Sequence, residues 1–85
     1  MAKEIIVYSA EFCHDCQLLK AFMDKEGVDY IVRDIKVNPE YGDELEQKTG
    51  KLGVPYLIID GEWQRGYVPG QPFSEDFARD LLGLN

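Results

Sequence analysis

The sequence predicts an α/β fold, a four-stranded mixed sheet flanked by three helices in the order βαβαββα. Three observations predict it. Ile5-Ile6-Val7-Tyr8 and Tyr56-Leu57-Ile58-Ile59 are apolar without alternation, as strands covered on both faces are. Three other stretches carry apolar residues at helical spacing. Asp60-Gly61, directly after the second apolar run, is the strongest two-residue hairpin signal a sequence can carry.

Taken in order, Ile5 to Tyr8 is a central strand, followed by a loop, Ser9-Ala10-Glu11-Phe12. Leu18, Leu19, Phe22 and Met23 then recur at helical spacing and Gly27 supplies a left-handed stop, which predicts a helix from Cys13 to Glu26. Val28 to Val37 interleaves polar with β-branched residues, as a strand nearer the sheet edge does. Asn38-Pro39 opens the second helix, the Asn side chain capping free N–H groups and the proline occupying a position that needs no donor. Its apolar stripe is narrow (Tyr41, Leu45, Leu52). Glu40, Asp43 and Glu44 suit the positive end of its dipole, Lys48 suits the other, and Gly50 ends it. Val54-Pro55 leads into the third strand, and the hairpin returns through a fourth from Glu62 to Tyr67. After Pro69, Gly70 and Pro72, residues Phe73, Phe77, Ala78, Leu81 and Leu82 mark a third helix that stops at Gly83.

A right-handed crossover makes the first two strands parallel, and the hairpin makes the last two antiparallel. Burying the two most apolar strands then requires the spatial order 2-1-3-4, with helices one and three on one face and helix two on the other. That is a thioredoxin-like architecture in its short form. With 85 residues the chain is expected to be a single domain over 1–85, because so short a sequence cannot stabilise two cores.

Sixteen acidic against nine basic side chains give a net charge of -7, which repels phosphate backbones and anionic lipid and argues against nucleic-acid or membrane partners. The N-terminal apolar run of four residues is too short for a signal-peptide core or a membrane span, so the expected location is cytoplasmic. In that reducing compartment a permanent disulfide is the weakest explanation of Cys13 and Cys16. A bridge closing a two-residue loop restricts the unfolded chain very little.

A C-x-x-C pair at a helix start brings two sulfurs within disulfide reach, and the first faces unpaired N–H groups that favour thiolate. Cys13 is therefore the candidate nucleophile, expected to titrate below a free cysteine, and Cys16 the residue that resolves the mixed disulfide. His14 as an imidazolium would lower the Cys13 pKa, whereas Asp15 would raise it. Asp15 is a nearby base for Cys16 or simply a carboxylate matched to the helix dipole. Two further readings of the pair stay open: capture of a soft metal ion or an iron-sulfur cluster by the two thiolates, and two small core residues. His14 is the only histidine, which excludes a site of several imidazoles.

Three motifs then carry a resemblance that covers essentially the whole chain. They are Tyr8-Ser9-Ala10-Glu11-Phe12-Cys13-His14-Asp15-Cys16, Gly53-Val54-Pro55, and Trp63-Gln64-Arg65-Gly66-Tyr67-Val68-Pro69. With them the chain resembles the glutaredoxins and the related NrdH-redoxins. The resemblance implies a thiol-disulfide oxidoreductase, an electron carrier with no tightly bound cofactor, that works as a monomer. It also implies a cis Val54-Pro55 bond beside the cysteines, with Val54 pairing to an extended substrate, and substrate contacts from Phe12, His14, Pro55, Trp63, Gly66 and Tyr67. Tyr8 would extend that apolar patch. Glutathione-using members carry Lys shortly before the first cysteine and acidic residues after the fourth strand, where this chain has Ala10-Glu11 and Val68-Pro69. The last motif is closer to the W-S-G-F-R-P stretch of NrdH-redoxins, which take electrons from thioredoxin reductase and pass them to ribonucleotide reductase. Glutathione and thioredoxin reductase are thus the implied donors, and disulfide-containing proteins the implied substrates.

Overall fold

The first apolar run forms β1 (Ile5–Ser9), buried along its whole length in a computed structural model that describes residues 4–84. Strand β1 pairs in parallel with β2 (Ile31–Asp34), Val7 opposite Val32, and antiparallel with β3 (Tyr56–Ile59), Val7 opposite Leu57. The Asp60-Gly61 turn, with positive φ at both residues (51° and 86°), returns the chain into β4 (Glu62–Arg65), where Trp63 lies opposite Ile58. The sheet order is β2-β1-β3-β4, as predicted.

Alternation along the strands sends neighbouring side chains to opposite faces. Ile5, Val7, Leu57 and Ile59 meet Leu19, Phe22 and Met23 of α1 (His14–Lys25) and Ala78 and Leu82 of α3 (Glu75–Leu82). Ile6 and Tyr8 point the other way, toward Leu45 of α2 (Pro39–Thr49) and Ile35. The helices therefore divide between the faces as the sequence predicts. Full burial of each large apolar side chain contributes about 1.5–3 kcal/mol, so these two layers dominate stability.

Several boundaries differ from the sequence reading, and at the second strand local hydrogen bonds override strand propensity. The second strand does not extend from Val28 to Val37. Gly27, at φ 71°, turns the chain out of α1 while the Val28 N–H bonds back to the Met23 carbonyl at 2.9 Å. At the other end the Asp34 carboxylate accepts the N–H groups of Lys36 (2.8 Å) and Val37 (3.0 Å), folding 35–37 into a turn. Strand four stops at Arg65, so Gly66 and Tyr67 lie beyond it. Phe73 precedes α3, which Ser74 caps by accepting the Phe77 N–H, and its ring packs edge-on against Phe22 at 6.5 Å. Leu52 falls after the left-handed Gly50 that ends α2 and is half exposed (52%) in the following loop.

The exit from α1 has a pH consequence. The Tyr30 hydroxyl donates to Asp24 at 2.8 Å, and burial, reinforced by that carboxylate, pushes its pKa from 10.0 up to about 12. A raised phenol pKa means that its stabilising contribution is complete below the unfolded value and lost as pH rises through the folded one. In denaturant titrations the native protein is therefore expected to lose stability between about pH 10 and pH 12 more steeply than Tyr30→Phe. Equal slopes in the two proteins would discard this contribution.

Candidate active site

The loop between β1 and α1 is closed by a hydrogen bond from the Cys13 N–H to the Ala10 carbonyl at 3.1 Å. Cys13 has extended backbone angles (φ -90°, ψ 106°) and stands as the N-cap of α1, its sulfur accepting the Cys16 N–H at 3.1 Å. The helix consequently starts at His14, one residue later than predicted, because the Cys13 sulfur fills the capping role that Ser or Asp usually takes. That N–H would stabilise a thiolate more than a thiol, as would the positive end of the helix dipole. Cys13 is partly exposed whereas Cys16 is fully buried, so an incoming molecule can reach only the first sulfur. The two residues are joined by a disulfide, with Cα atoms 5.2 Å apart.

Against this pair lies the loop that leads into β3. The Val54–Pro55 bond is cis, as the resemblance implies. Pro55 is buried, and the Val54 carbonyl oxygen is 3.6 Å from Cys13 Sγ. Past the end of β4, the buried Gly66 donates its N–H to the Pro55 carbonyl at 3.0 Å. A side chain there would collide with Leu57 and Pro55, and a methyl at Gly53 would strike the Tyr67 hydroxyl. The two glycines thus let the proline loop, β4 and Tyr67 close on one another.

The other predicted residues divide into two groups. Phe12 is 71% exposed beside Cys13, with Lys36 Nζ 5.5 Å from its ring centroid, and His14 is exposed in the first turn of α1. Tyr67 is half-buried and shares a crevice with Asp15, Gly66 and Phe77. Trp63 sits deeper on the α2 face, stacked on Tyr8 at 5.3 Å and tilted against Tyr56 at 6.1 Å. Tyr8 corrects an expectation. It is 1% exposed and extends no surface patch. Its hydroxyl donates to Glu44 at 2.9 Å and accepts from Arg33 at 2.7 Å, while Arg33 and Glu44 pair at 3.2 Å. Burial of the phenol raises its pKa despite Arg33, so Tyr8 is a neutral anchor between sheet and α2. Lys36 and Gln17, whose amide reaches the Ala10 carbonyl at 3.5 Å, were not singled out by sequence. Neither belongs to a periodic pattern or a spaced motif.

Among the described residues no group of three or more His, Cys, Asp or Glu side chains gathers as metal ligands would. No helix among them is long and apolar enough to cross a membrane.

Comparison with known proteins places this geometry in context. The family model described as Glutaredoxin matches residues 5–64. Among solved structures, the thioredoxin-like protein BC3987 superposes with a TM-score of 0.72 at 25% identity, over 93% of this chain and 100% of its own. The glutaredoxin grx-1 from Archaeoglobus fulgidus gives 0.70 at 23% identity, over 100% of this chain and 89% of its own. The holo form of glutaredoxin C1 from Populus tremula x tremuloides gives 0.62 at 23% identity, over 73% of this chain and 65% of its own. No curated protein sequence matches the chain.

Proposed function

Because the chain belongs to the glutaredoxin family, we propose that it is a dithiol thiol-disulfide oxidoreductase that reduces protein disulfides or mixed disulfides in the cytoplasm through Cys13 and Cys16. The observation that carries this reading is the asymmetry of the pair. One sulfur is reachable and accepts a helix N–H at 3.1 Å, and the other is fully buried one turn below.

In the reduced protein the Cys13 thiolate attacks one sulfur of a substrate disulfide. The substrate S–S bond breaks, one substrate thiolate leaves and takes a proton from solvent, and a mixed disulfide remains. Cys16, as thiolate, then attacks Cys13 Sγ. The mixed bond breaks, the second substrate thiol departs, and the Cys13–Cys16 disulfide forms. Two electrons have moved from the protein to the substrate. The cycle closes when an external dithiol or two equivalents of glutathione return them. During the mixed-disulfide stage Val54, which precedes the β3 ladder, offers its backbone to an extended substrate. Phe12 and Tyr67 supply apolar contact on either side.

The donor is proposed to be thioredoxin reductase, with ribonucleotide reductase among the substrates, in the manner of NrdH-redoxins. Where glutathione users carry a lysine this chain has Ala10, fully buried, followed by the exposed Glu11, whose charge opposes a glycyl carboxylate. The test is NADPH oxidation coupled to a disulfide substrate, with thioredoxin reductase in one arm and glutathione plus glutathione reductase in the other. The first arm is expected to turn over faster. Activity confined to the glutathione arm would reverse the donor assignment, and none in either arm, with both thiols titrating, would remove the oxidoreductase reading.

A further inference from the structure

We infer that a cationic groove beside the Val54–Pro55 loop docks acidic side chains flanking the disulfide of a protein substrate; the inference deepens the redox reading and rests on it for the identity of the occupant. Lys48 and Thr49 close α2, Lys51 follows in the loop, Arg65 ends β4, and with Tyr56 and Tyr67 they line the groove.

Charge distribution sets this groove apart. In a chain of net charge -7, three of the cations outside the groove are matched, Lys25 to Glu75 at 2.7 Å, Arg33 to Glu44 at 3.2 Å, and Arg79 to Asp76 at 3.9 Å and Glu26 at 4.0 Å. Among the described residues Lys20 and Lys36 are also without an ion pair, but neither lines this groove, which gathers three unpaired cations. Among the described residues no carboxylate comes within ion-pair distance of Lys48, Lys51 or Arg65, and no Asp or Glu lines the groove. Three like charges on one wall repel one another, and only an incoming anion relieves them. The wall is also held in shape. The Thr49 hydroxyl donates to the Leu45 carbonyl at 2.8 Å and accepts the Lys51 N–H at 3.3 Å, fixing the loop that carries Lys51. The Arg65 guanidinium lies 5.6 Å over the Tyr67 ring.

Position identifies the occupant. Gly53, which also lines the groove, adjoins Val54, whose carbonyl is 3.6 Å from Cys13 Sγ. A segment bonded to Cys13 and laid along Val54 advances about 3.3–3.6 Å per residue, so side chains two or three positions from its cysteine lie over the cations. A long polyanion meets the repulsion of the whole molecule. A short acidic segment feels mainly the local positive wall, because charges beyond about 8 Å are screened at physiological salt.

The test uses two cysteine-free peptides with Ser at the cysteine position, one carrying Glu two and three residues away and the other Gln. Amide NMR shifts of Lys48, Thr49, Lys51 and Arg65 are expected to saturate with the Glu peptide only. Equal shifts with both, or none, would overturn the docking site. Disulfide-linked versions then report kcat/KM, expected to be about fivefold higher for the Glu substrate at low salt, the factor one exposed ion pair supplies at the top of its range. Lys48→Gln and Arg65→Gln should each shrink that preference and leave the Gln substrate unchanged, whereas an undiminished preference in both would move the acid contact elsewhere and sink the proposal. Glu-selective binding without reduction of either substrate would uphold the groove and remove the redox reading.

Discussion

Cys13→Ser is expected to abolish turnover, and Cys16→Ser to stop after one step with substrate covalently attached through Cys13. The difference follows from position. Cys13 is the sulfur that solvent and substrate reach, and at neutral pH a serine hydroxyl has no anionic fraction with which to attack a disulfide. Cys16 is fully buried and its sulfur is bonded to that of Cys13, so its loss spares the first attack and removes the second. Mass spectrometry of each variant mixed with a disulfide peptide, in the absence of glutathione, reads the outcome directly. The adduct mass should appear for Cys16→Ser and be missing for Cys13→Ser. Adducts of similar yield in both variants would end the proposed division of labour.

Gly66→Ala is expected to cost about 1–3 kcal/mol of stability, the usual range for forcing an extra methyl into a packed site. The added Cβ would stand 2.6 Å from Leu57 Cδ1, 2.9 Å from the Pro55 carbonyl oxygen and 3.2 Å from Pro55 Cγ. Leu57 belongs to the core and Pro55 to the loop that holds Val54 against Cys13, so relief moves one or the other. Gly27→Ala is the comparison. At φ 71° it is strained, by roughly 1–2 kcal/mol, but meets no atom within 4 Å and lies at the far end of α1. Both variants should lower the urea midpoint without changing the slope. Only Gly66→Ala should reduce the rate of disulfide reduction at a temperature where both are folded. A parallel fall in the two variants would show that rate follows global stability, not the set of the proline loop.

Ordering of the elements, sheet topology and both cysteines were legible from the sequence because each rests on short-range physics. Ile5 to Tyr8 and Tyr56 to Ile59 are apolar on successive positions, Asn38-Pro39 can start a helix, and Asp60-Gly61 can adopt the left-handed angles of a tight turn. Once these were given, the handedness of the crossover and burial of the two apolar strands left one arrangement. The cis Val54–Pro55 bond was legible only through family resemblance.

Tertiary structure decided the rest, and the reason is common to each case: these choices depend on partners distant in sequence. Tyr8 is expected to extend an apolar patch beside Cys13, yet Arg33 and Glu44 satisfy its hydroxyl and Trp63 covers its ring, so it is buried. Gly66 reads as a residue of the fourth strand and a substrate contact, and only the approach of Pro55 and Leu57 makes its missing side chain necessary. Lys48, Lys51 and Arg65 form no motif along the chain. They become one charged wall because α2, its following loop and β4 end at the same edge of the proline loop. Local patterns therefore specified which segments form and where the reactive sulfurs lie, whereas the surroundings of those sulfurs arose from contacts that no local window contains.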